Sequence, residues 1–464
     1  MRILQVIHQF PPFSSQGSEV YCFHLAQQLS RTEDVRVFHI SNPLRRQRRG
    51  LRRGTHAGLP IYHCIDGGAY TRLATWPNHL LQRSFQQALD DMRPDVVHFH
   101  SYLSLGDRLV SRARASGASI VYTLHDYGLI CPNALLLRDD GQTCGKNHGE
   151  FFQDCCPLLI RTAAPERHSA PLQARIPSLA RWQMFSRQQR NPLLRGLLSS
   201  AIAGATRIFG EPRSTDTALK RSFFLDRSRE IFRDVDLFIA PSRFLLERYV
   251  DCGVPGDKIV HMRNGMRLLT APARSPRSGP LRIGYIGSLH PQKGVELLLE
   301  AFRGLSGSAT LHVHGSVFSS PISESYWQRI SENAGERVIF HGTYDNMNVG
   351  DILASLDLIV VPSLWFENSP LTIHEAFMAR IPVITADVGG MAELVQHGVN
   401  GLHFRLGDAM DLRARLQYVI DRPELLTELE RGIPAVPGIE QHAAAMLTHY
   451  ANSRALAPIS GSAQ

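Results

Sequence analysis

Short apolar runs alternate with amphipathic stretches along most of the chain. In the first half, the runs Ile3–Ile7, Val35–Ile40, Asp95–His100, Ile120–Leu124, Leu237–Ala240 and Ile259–His261 have the length and composition of strands. Apolar positions recurring every three or four residues predict helices over about Ser18–Ser30, Asn78–Met92 and Gly106–Ser116, and another from Ser242. The second half repeats the theme. Strands are expected at Leu281–Ile286, Thr310–Val313, Val338–Phe340, Asp357–Val361, Val383–Thr385 and Leu402–Phe404. Helices are expected from Lys293 and over Pro370–Arg380 and Gly390–Gln396. Strands alternating with helices build parallel βαβ units, so the pattern predicts an α/β chain with doubly wound sheets.

The stretch Leu268–Pro280 is rich in proline, serine and arginine and reads as a linker. It divides the chain into one Rossmann-like domain over 1–267 and a second over 281–440. A final helical run, about Gln441 to Ala455, follows a Pro/Gly break, and segment 441–464 is expected to pack back on the first domain. Two segments escape the alternation. Arg45–Arg53 holds six arginines and reads as a solvated loop, with phosphate or anionic-lipid contact as its functional alternative. Residues 151–230 lack clear strands and read as a helical insertion, facing an acceptor or membrane or simply covering the surface.

The length of 464 residues suits two or three domains, and 43% hydrophobic with 20% charged residues is globular composition. The formal net charge of +8 favours anionic partners without choosing among nucleotides, nucleic acid and membrane surface. No signal peptide and no apolar span of membrane length is visible, so a cytoplasmic location is expected, with peripheral contact at the inner membrane face as an option. Seven cysteines do not form a disulfide framework. Four of them, Cys131, Cys144, Cys155 and Cys156, lie close in sequence with His148. They offer a structural zinc site as the minor reading and reduced thiols as the major one.

Candidate chemistry concentrates in three places. The first is Trp365-Phe366-Glu367-Asn368-Ser369-Pro370-Leu371-Thr372-Ile373-His374-Glu375. Pro370 suits the first turn of a helix, Glu367 falls on the loop entering it, and Glu375 lies inside it. Free N–H groups around Ser369 to Thr372, with the helix dipole, suit a phosphate, and a carboxylate nearby can take sugar hydroxyls. A capped helix with a solvent-facing glutamate is the plain alternative. The second is Tyr285-Ile286-Gly287-Ser288-Leu289-His290-Pro291-Gln292-Lys293-Gly294, a glycine turn from strand to helix. Lys293 supplies a point charge there for a diphosphate, and no P-loop pattern is present. The third, Gln16-Gly17-Ser18-Glu19, offers close backbone approach at Gly17, or an ordinary helix capped by Ser18.

In this order the motifs resemble glycosyltransferase family 4, the retaining nucleotide-sugar transferases of the GT-B fold. Asn264-Gly265, Gly389-Gly390-Met391-Ala392-Glu393 and Gly398-Val399-Asn400-Gly401 add to the likeness. The resemblance implies two Rossmann-like domains facing each other across a cleft. It implies that Glu375 binds the ribose, Glu367 contacts the transferred sugar, Lys293 neutralises the leaving diphosphate, and His125 lies near the reacting sugar. Tyr344 is expected to stack on the nucleobase. Relatives carry an arginine where this chain has Ser288, with Arg263 or Arg267 as candidate replacements. No Asp-x-Asp motif follows a strand, so no catalytic metal and no cofactor are expected beyond a UDP- or GDP-sugar donor. The implied activity is transfer to a glycan or lipid-linked acceptor in polysaccharide or cell-envelope glycan synthesis. A catalytically silent sugar-nucleotide-binding protein is the alternative, and a nucleic-acid-binding role has only the charge behind it.

Overall fold

A computed structural model describes residues 1–14, 16–41, 49–66, 78–101, 108–132, 134–138, 141–144, 214–269, 272, 279–316 and 321–456. In the first domain the elements run β1 (Arg2–Ile7), α1 (Gly17–Leu29), β2 (Asp34–Ser41), β3 (Gly50–His56), β4 (Leu59–Ile65), α2 (His79–Met92), β5 (Val96–Phe99), α3 (Leu109–Ala115) and β6 (Ser119–Thr123). They continue with α4 (Ser214–Asp234), β7 (Leu237–Ala240), α5 (Arg243–Asp251) and β8 (Ile259–His261). The second domain has β9 (Leu281–Ile286), α6 (Val295–Arg303), β10 (Ala309–His314), α7 (Pro321–Glu332), β11 (Val338–Gly342), α8 (Val349–Ala354), β12 (Leu358–Val361), α9 (Leu371–Met378), β13 (Val383–Ala386), α10 (Gly389–Leu394) and β14 (Gly401–Phe404). Three helices close the chain: α11 (Ala409–Asp421), α12 (Leu425–Arg431) and α13 (Ile439–Leu456).

The strands form two sheets, ordered β3-β4-β2-β1-β5-β6-β7-β8 and β11-β10-β9-β12-β13-β14. The pairings are parallel except for β3 with β4. In each sheet the order reverses next to the first strand, β1 or β9. Such a reversal opens a crevice at the carboxyl ends of the strands. Central strands such as β5, β7, β12 and β13 are buried at every position, as helices on both faces require.

The antiparallel hairpin β3–β4 corrects the reading of Arg45–Arg53 as a loop: Arg52 and Arg53 lie in an edge strand, and Arg53 pairs with Asp91 at 3.2 Å. Residues 42–48 lie outside the described residues, as does the expected insertion apart from α4. Ser18 is not the cap of α1. Gln16 occupies that position and Ser18 instead donates to Glu19 Oε2 at 3.0 Å. Pro370 caps α9 from outside rather than opening its first turn.

Helix α13 does not stay with the second domain. Ile439, Ala443, Met446 and Tyr450 join Ile3, Tyr21, Leu25, Val37 and Val121 in the core on one face of the first sheet. Trp365 and Phe366 likewise enter the core on its other face. No helix among the described residues is long and apolar enough to cross a membrane.

Candidate active site between the two domains

The carboxyl ends of the second sheet converge on one depression. After β9 the backbone turns through Gly287 at φ 154°, and Gly315 after β10 stacks so close that a Cβ there would stand 1.8 Å from the Gly287 carbonyl oxygen. These glycines, with Ser288, Ser316, Tyr344 and Asp345, line a pocket of about 410 Å3. Tyr344 is pushed well above the ordinary phenol range by burial and then by the charge of Glu375. Ser288 lines the pocket, and its carbonyl accepts the Tyr285 hydroxyl at 2.8 Å. Arg267 reaches Met347 Sδ at 3.9 Å, and the charge of Arg263 is felt at His374 on α9.

Lys293 and Glu367 meet at the floor of the cleft. Lys293 Nζ lies 2.5 Å from Glu367 Oε1, which also accepts from Ser363 Oγ at 2.8 Å and from Trp365 Nε1 at 3.0 Å. The ammonium sits 5.4 Å from the Trp365 ring centre. Three donors on one oxygen hold this carboxyl group rigidly and leave Oε2 for other partners. Gly294, at φ 73°, lets this turn pass under Pro362, whose carbonyl oxygen would be 1.9 Å from an added Cβ.

The start of α9 lies beside this pair. Ser369 Oγ is 2.8 Å from His374 Nε2, and Thr372 Oγ1 donates to the Ile286 carbonyl at 3.3 Å, so α9 is tied to the end of β9. Glu375 is half-buried within α9, and burial alone pushes its carboxyl group up to about 7.

The first domain faces this floor with its own strand ends. His125 follows β6, and burial holds its ring down to about 4. Its carbonyl accepts from Asn368 Nδ2 at 2.7 Å, which links the two domains beside Glu367. Gly17 opens α1 opposite the start of α9: a Cβ there would lie 3.7 Å from the Leu371 side chain. Glu19, fully buried, is held by His8 Nε2 at 3.0 Å and by the Ser14 and Ser18 hydroxyls. A second link is made by Glu393 of α10, whose carboxyl oxygens accept the backbone N–H groups of Arg243 at 2.8 Å and Phe244 at 2.5 Å. Those are unpaired donors of the first turn of α5, so one domain caps a helix of the other.

Thus Lys293, Glu367, Ser369, Pro370, Leu371, Gly17 and His125 cluster where the domains meet, Gly287, Ser288 and Tyr344 line the pocket after β9, and Glu375 lies within α9. The model for glycosyl transferases group 1 matches residues 280–422, and that for a glycosyl transferase 4-like domain matches residues 16–164. Together they cover more than half of the chain.

The chain belongs to the group 1 glycosyltransferases.

Within this family it is 29% identical over 203 residues to the glycogen synthase of Mycobacterium tuberculosis, covering 42% of this chain and 47% of that protein. It is 29% identical over 168 residues to a GDP-mannose-dependent alpha-mannosyltransferase of Corynebacterium glutamicum, covering 36% of each. The chain spans at most about half the length of the curated relatives it matches here. Anabaena HepE, crystallised with UDP and glucose, superposes with a TM-score of 0.63 over 97% of this chain and 100% of its own, at 16% identity. That likeness establishes the GT-B fold.

Several residues that meet at this cleft are given no role by the sequence alone. Glu19, His100 and Asn368 are buried polar side chains and His8 is half-buried, all at or near strand or helix ends. The signal was present in Val96-Val97-His98-Phe99-His100, where two histidines interrupt an apolar strand. Of the suggested zinc ligands, Cys131 is buried and Cys144 half-buried, and Cys155 and Cys156 lie outside the described residues. No cluster of metal-ligating side chains occurs among the described residues. The sequence Asp234-Val235-Asp236 precedes β7 and is engaged structurally: Asp234 by Ser111, and Asp236 by Arg114 and Ser119.

Proposed function

We propose that this chain is a retaining, metal-independent transferase. It moves a sugar from a UDP- or GDP-sugar to a glycan or lipid-linked acceptor in polysaccharide or cell-envelope glycan synthesis. The reading is carried by one observation: Lys293, Glu367 and the amino end of α9 share a floor that faces His125 across the domain boundary. Departure of a nucleoside diphosphate builds negative charge on phosphate and positive charge on the anomeric carbon. Lys293 and the N–H groups of Ser369 and Leu371 answer the first, as preorganised donors that need no reorganisation. Glu367 Oε2 takes sugar hydroxyls. Its Oε1, saturated by three donors, supports a holding role over that of a nucleophile.

Glu375 takes the ribose hydroxyls, and the base lies in the pocket beside Tyr344. Gly17 brings the first domain against the diphosphate. The acceptor attacks on the face the diphosphate leaves, assisted by the departing phosphate oxygen. Domain closure excludes water that would hydrolyse the donor. The net charge of +8 supports work at an anionic inner membrane face, with the protein cytoplasmic.

A thermal-shift panel of UDP-, GDP-, ADP- and dTDP-sugars, with and without EDTA, tests the reading, because a native-state ligand raises Tm by mass action. One EDTA-insensitive hit followed by transfer to a glycan acceptor supports it. EDTA-sensitive transfer removes metal independence, and binding without transfer or hydrolysis leaves a silent binding protein.

A further inference from the structure

A run of buried polar side chains crosses the first domain from α13 to His125. Gln5, Thr123, His98 and Tyr450 are fully buried, and His100, Tyr21 and His442 are 1%, 3% and 4% exposed. Each must therefore find its hydrogen-bond partner within the run.

The amide of Gln5 fixes the direction of the bonds on either side of it. Gln5 Nε2 donates to the Tyr450 oxygen at 3.3 Å, and Gln5 Oε1, an acceptor only, takes the Nε2–H of His100 at 2.6 Å. Burial holds the His100 ring well below its ordinary value, so the ring is neutral and its Nδ1 is bare. That nitrogen accepts from His125 Nε2 at 3.3 Å. On the other side the Tyr450 hydroxyl, whose oxygen accepts from Gln5, donates to His98 Nδ1 at 2.7 Å, and His98 Nε2 donates to Thr123 Oγ1 at 2.7 Å. Tyr21 and His442 lie beside this run, the Tyr21 hydroxyl 2.6 Å from His442 Nε2.

We propose that the carboxyl-terminal helix sets the tautomer of His125. The run from Thr123 through His98, Tyr450, Gln5 and His100 fixes the His125 proton on Nε2 and leaves Nδ1 as an acceptor. That nitrogen has no partner among the described residues, and the ring is half-buried beside the cleft. An acceptor there takes a hydroxyl or amide N–H of a bound sugar and repels a carboxylate. Tyr450, Gln5, His98 and His100 are positioning residues. They act through His125 and touch no substrate. The tautomer is a property of the protein alone, whereas its use in sugar selection rests on the function proposed above.

Tyr450→Phe keeps the ring and removes the bond that orients Gln5. The amide can then turn Nε2 toward His100, which moves the His100 proton to Nδ1 and reverses His125. The full chain with ring-15N histidine, read by long-range nitrogen–proton correlation near neutral pH, reports the tautomer directly. His125→Gln identifies the His125 signals. The expected wild-type pattern is a single Nε2-protonated tautomer at His125, and in Tyr450→Phe a second, Nδ1-protonated population appears. An Nδ1-protonated or averaged His125 in the wild type overturns the proposal, and this measurement needs no variant at the run itself to fold. An unchanged His125 in a folded Tyr450→Phe also overturns it. Failure to detect transfer with any donor would sink the proposed activity and leave the tautomer result standing.

Discussion

Lys293 Nζ rests 2.5 Å from Glu367 Oε1, so the cation assigned to the leaving diphosphate and the carboxylate assigned to the sugar are one unit. Lys293 is 31% exposed and Glu367 side chain 9%, so the pair sits at the rim of the protein interior. Lys293→Ala removes a charge that matters most as the diphosphate departs. By analogy with lost electrostatic donors, kcat is expected to fall about 10^2- to 10^3-fold with a smaller change in KM. Ser363 and Trp365 still hold Glu367, so the fold survives. Steady-state kinetics with circular dichroism check this, and normal turnover in the variant removes the diphosphate role.

A second expectation concerns the two glycines under the pocket. Gly315 has φ 145°, and its missing Cβ would lie 1.8 Å from the Gly287 carbonyl. Gly315→Ala must push these two loops apart, and both line the pocket. Nucleotide affinity is expected to drop at least about tenfold, with a loss of stability of about 1–3 kcal/mol from backbone strain. Gly335→Ala is the control: it also has positive φ, at 77°, but open space around it, so it costs stability without touching affinity. Equal nucleotide affinity in both variants would show that the pocket is not where the nucleotide binds.

The legible parts of the chain were those whose meaning is local. Strand–helix alternation and the spacing of Glu367 and Glu375 are read within a few residues, and the structure places both carboxylates around α9. The hairpin β3–β4 was missed because an edge strand exposed on both faces carries Arg52 and Arg53 where an interior strand would carry apolar residues. Glu19, His98 and His100 were missed for a different reason. A polar residue within an apolar run is informative only once its partner is known, and the partners are distant. Gln5 meets Tyr450 445 positions along the chain, and Asn368 meets His125 243 positions away.

The role proposed for Glu375 makes donor binding depend on pH. Burial raises its carboxyl group to about 7, so in the empty protein it is mostly protonated below that pH and ionised above. Ribose hydroxyls donate best to the ionised form. Affinity for the nucleotide is therefore expected to fall as pH drops below about 7, by up to about tenfold per pH unit. The stability of the empty enzyme runs the other way. Between the ordinary value of 4.5 and about 7 the folded protein keeps a proton that the unfolded chain has released. Stability is thus higher at the acid side of this window and declines as pH rises through it. Calorimetric titration of the nucleotide and Tm measured across the same range check both. Glu375→Gln should flatten both profiles, and a wild-type affinity independent of pH between 5 and 8 would contradict the role given to Glu375.

The link made by Glu393 separates domain closure from chemistry. Its carboxylate caps the first turn of α5 from the opposite domain, far from the pocket residues in sequence and bonded only to the backbone of Arg243 and Phe244. Losing a cap of this kind costs about 1–2 kcal/mol. Here the cost falls on the closed arrangement, because an opened protein can satisfy the same N–H groups with water. Glu393→Ala is therefore expected to shift the population toward an open form, raising the radius of gyration seen by small-angle scattering. The apparent affinity for the donor should fall in proportion to the closed fraction, about five- to thirtyfold if closure is marginal in the wild type. The rate of transfer at saturating donor should change less, since Lys293, Glu367 and α9 are untouched and bound donor restores closure. If Glu393→Ala instead lowers kcat while the radius of gyration stays the same, the contact orients the reacting groups rather than holding the domains together.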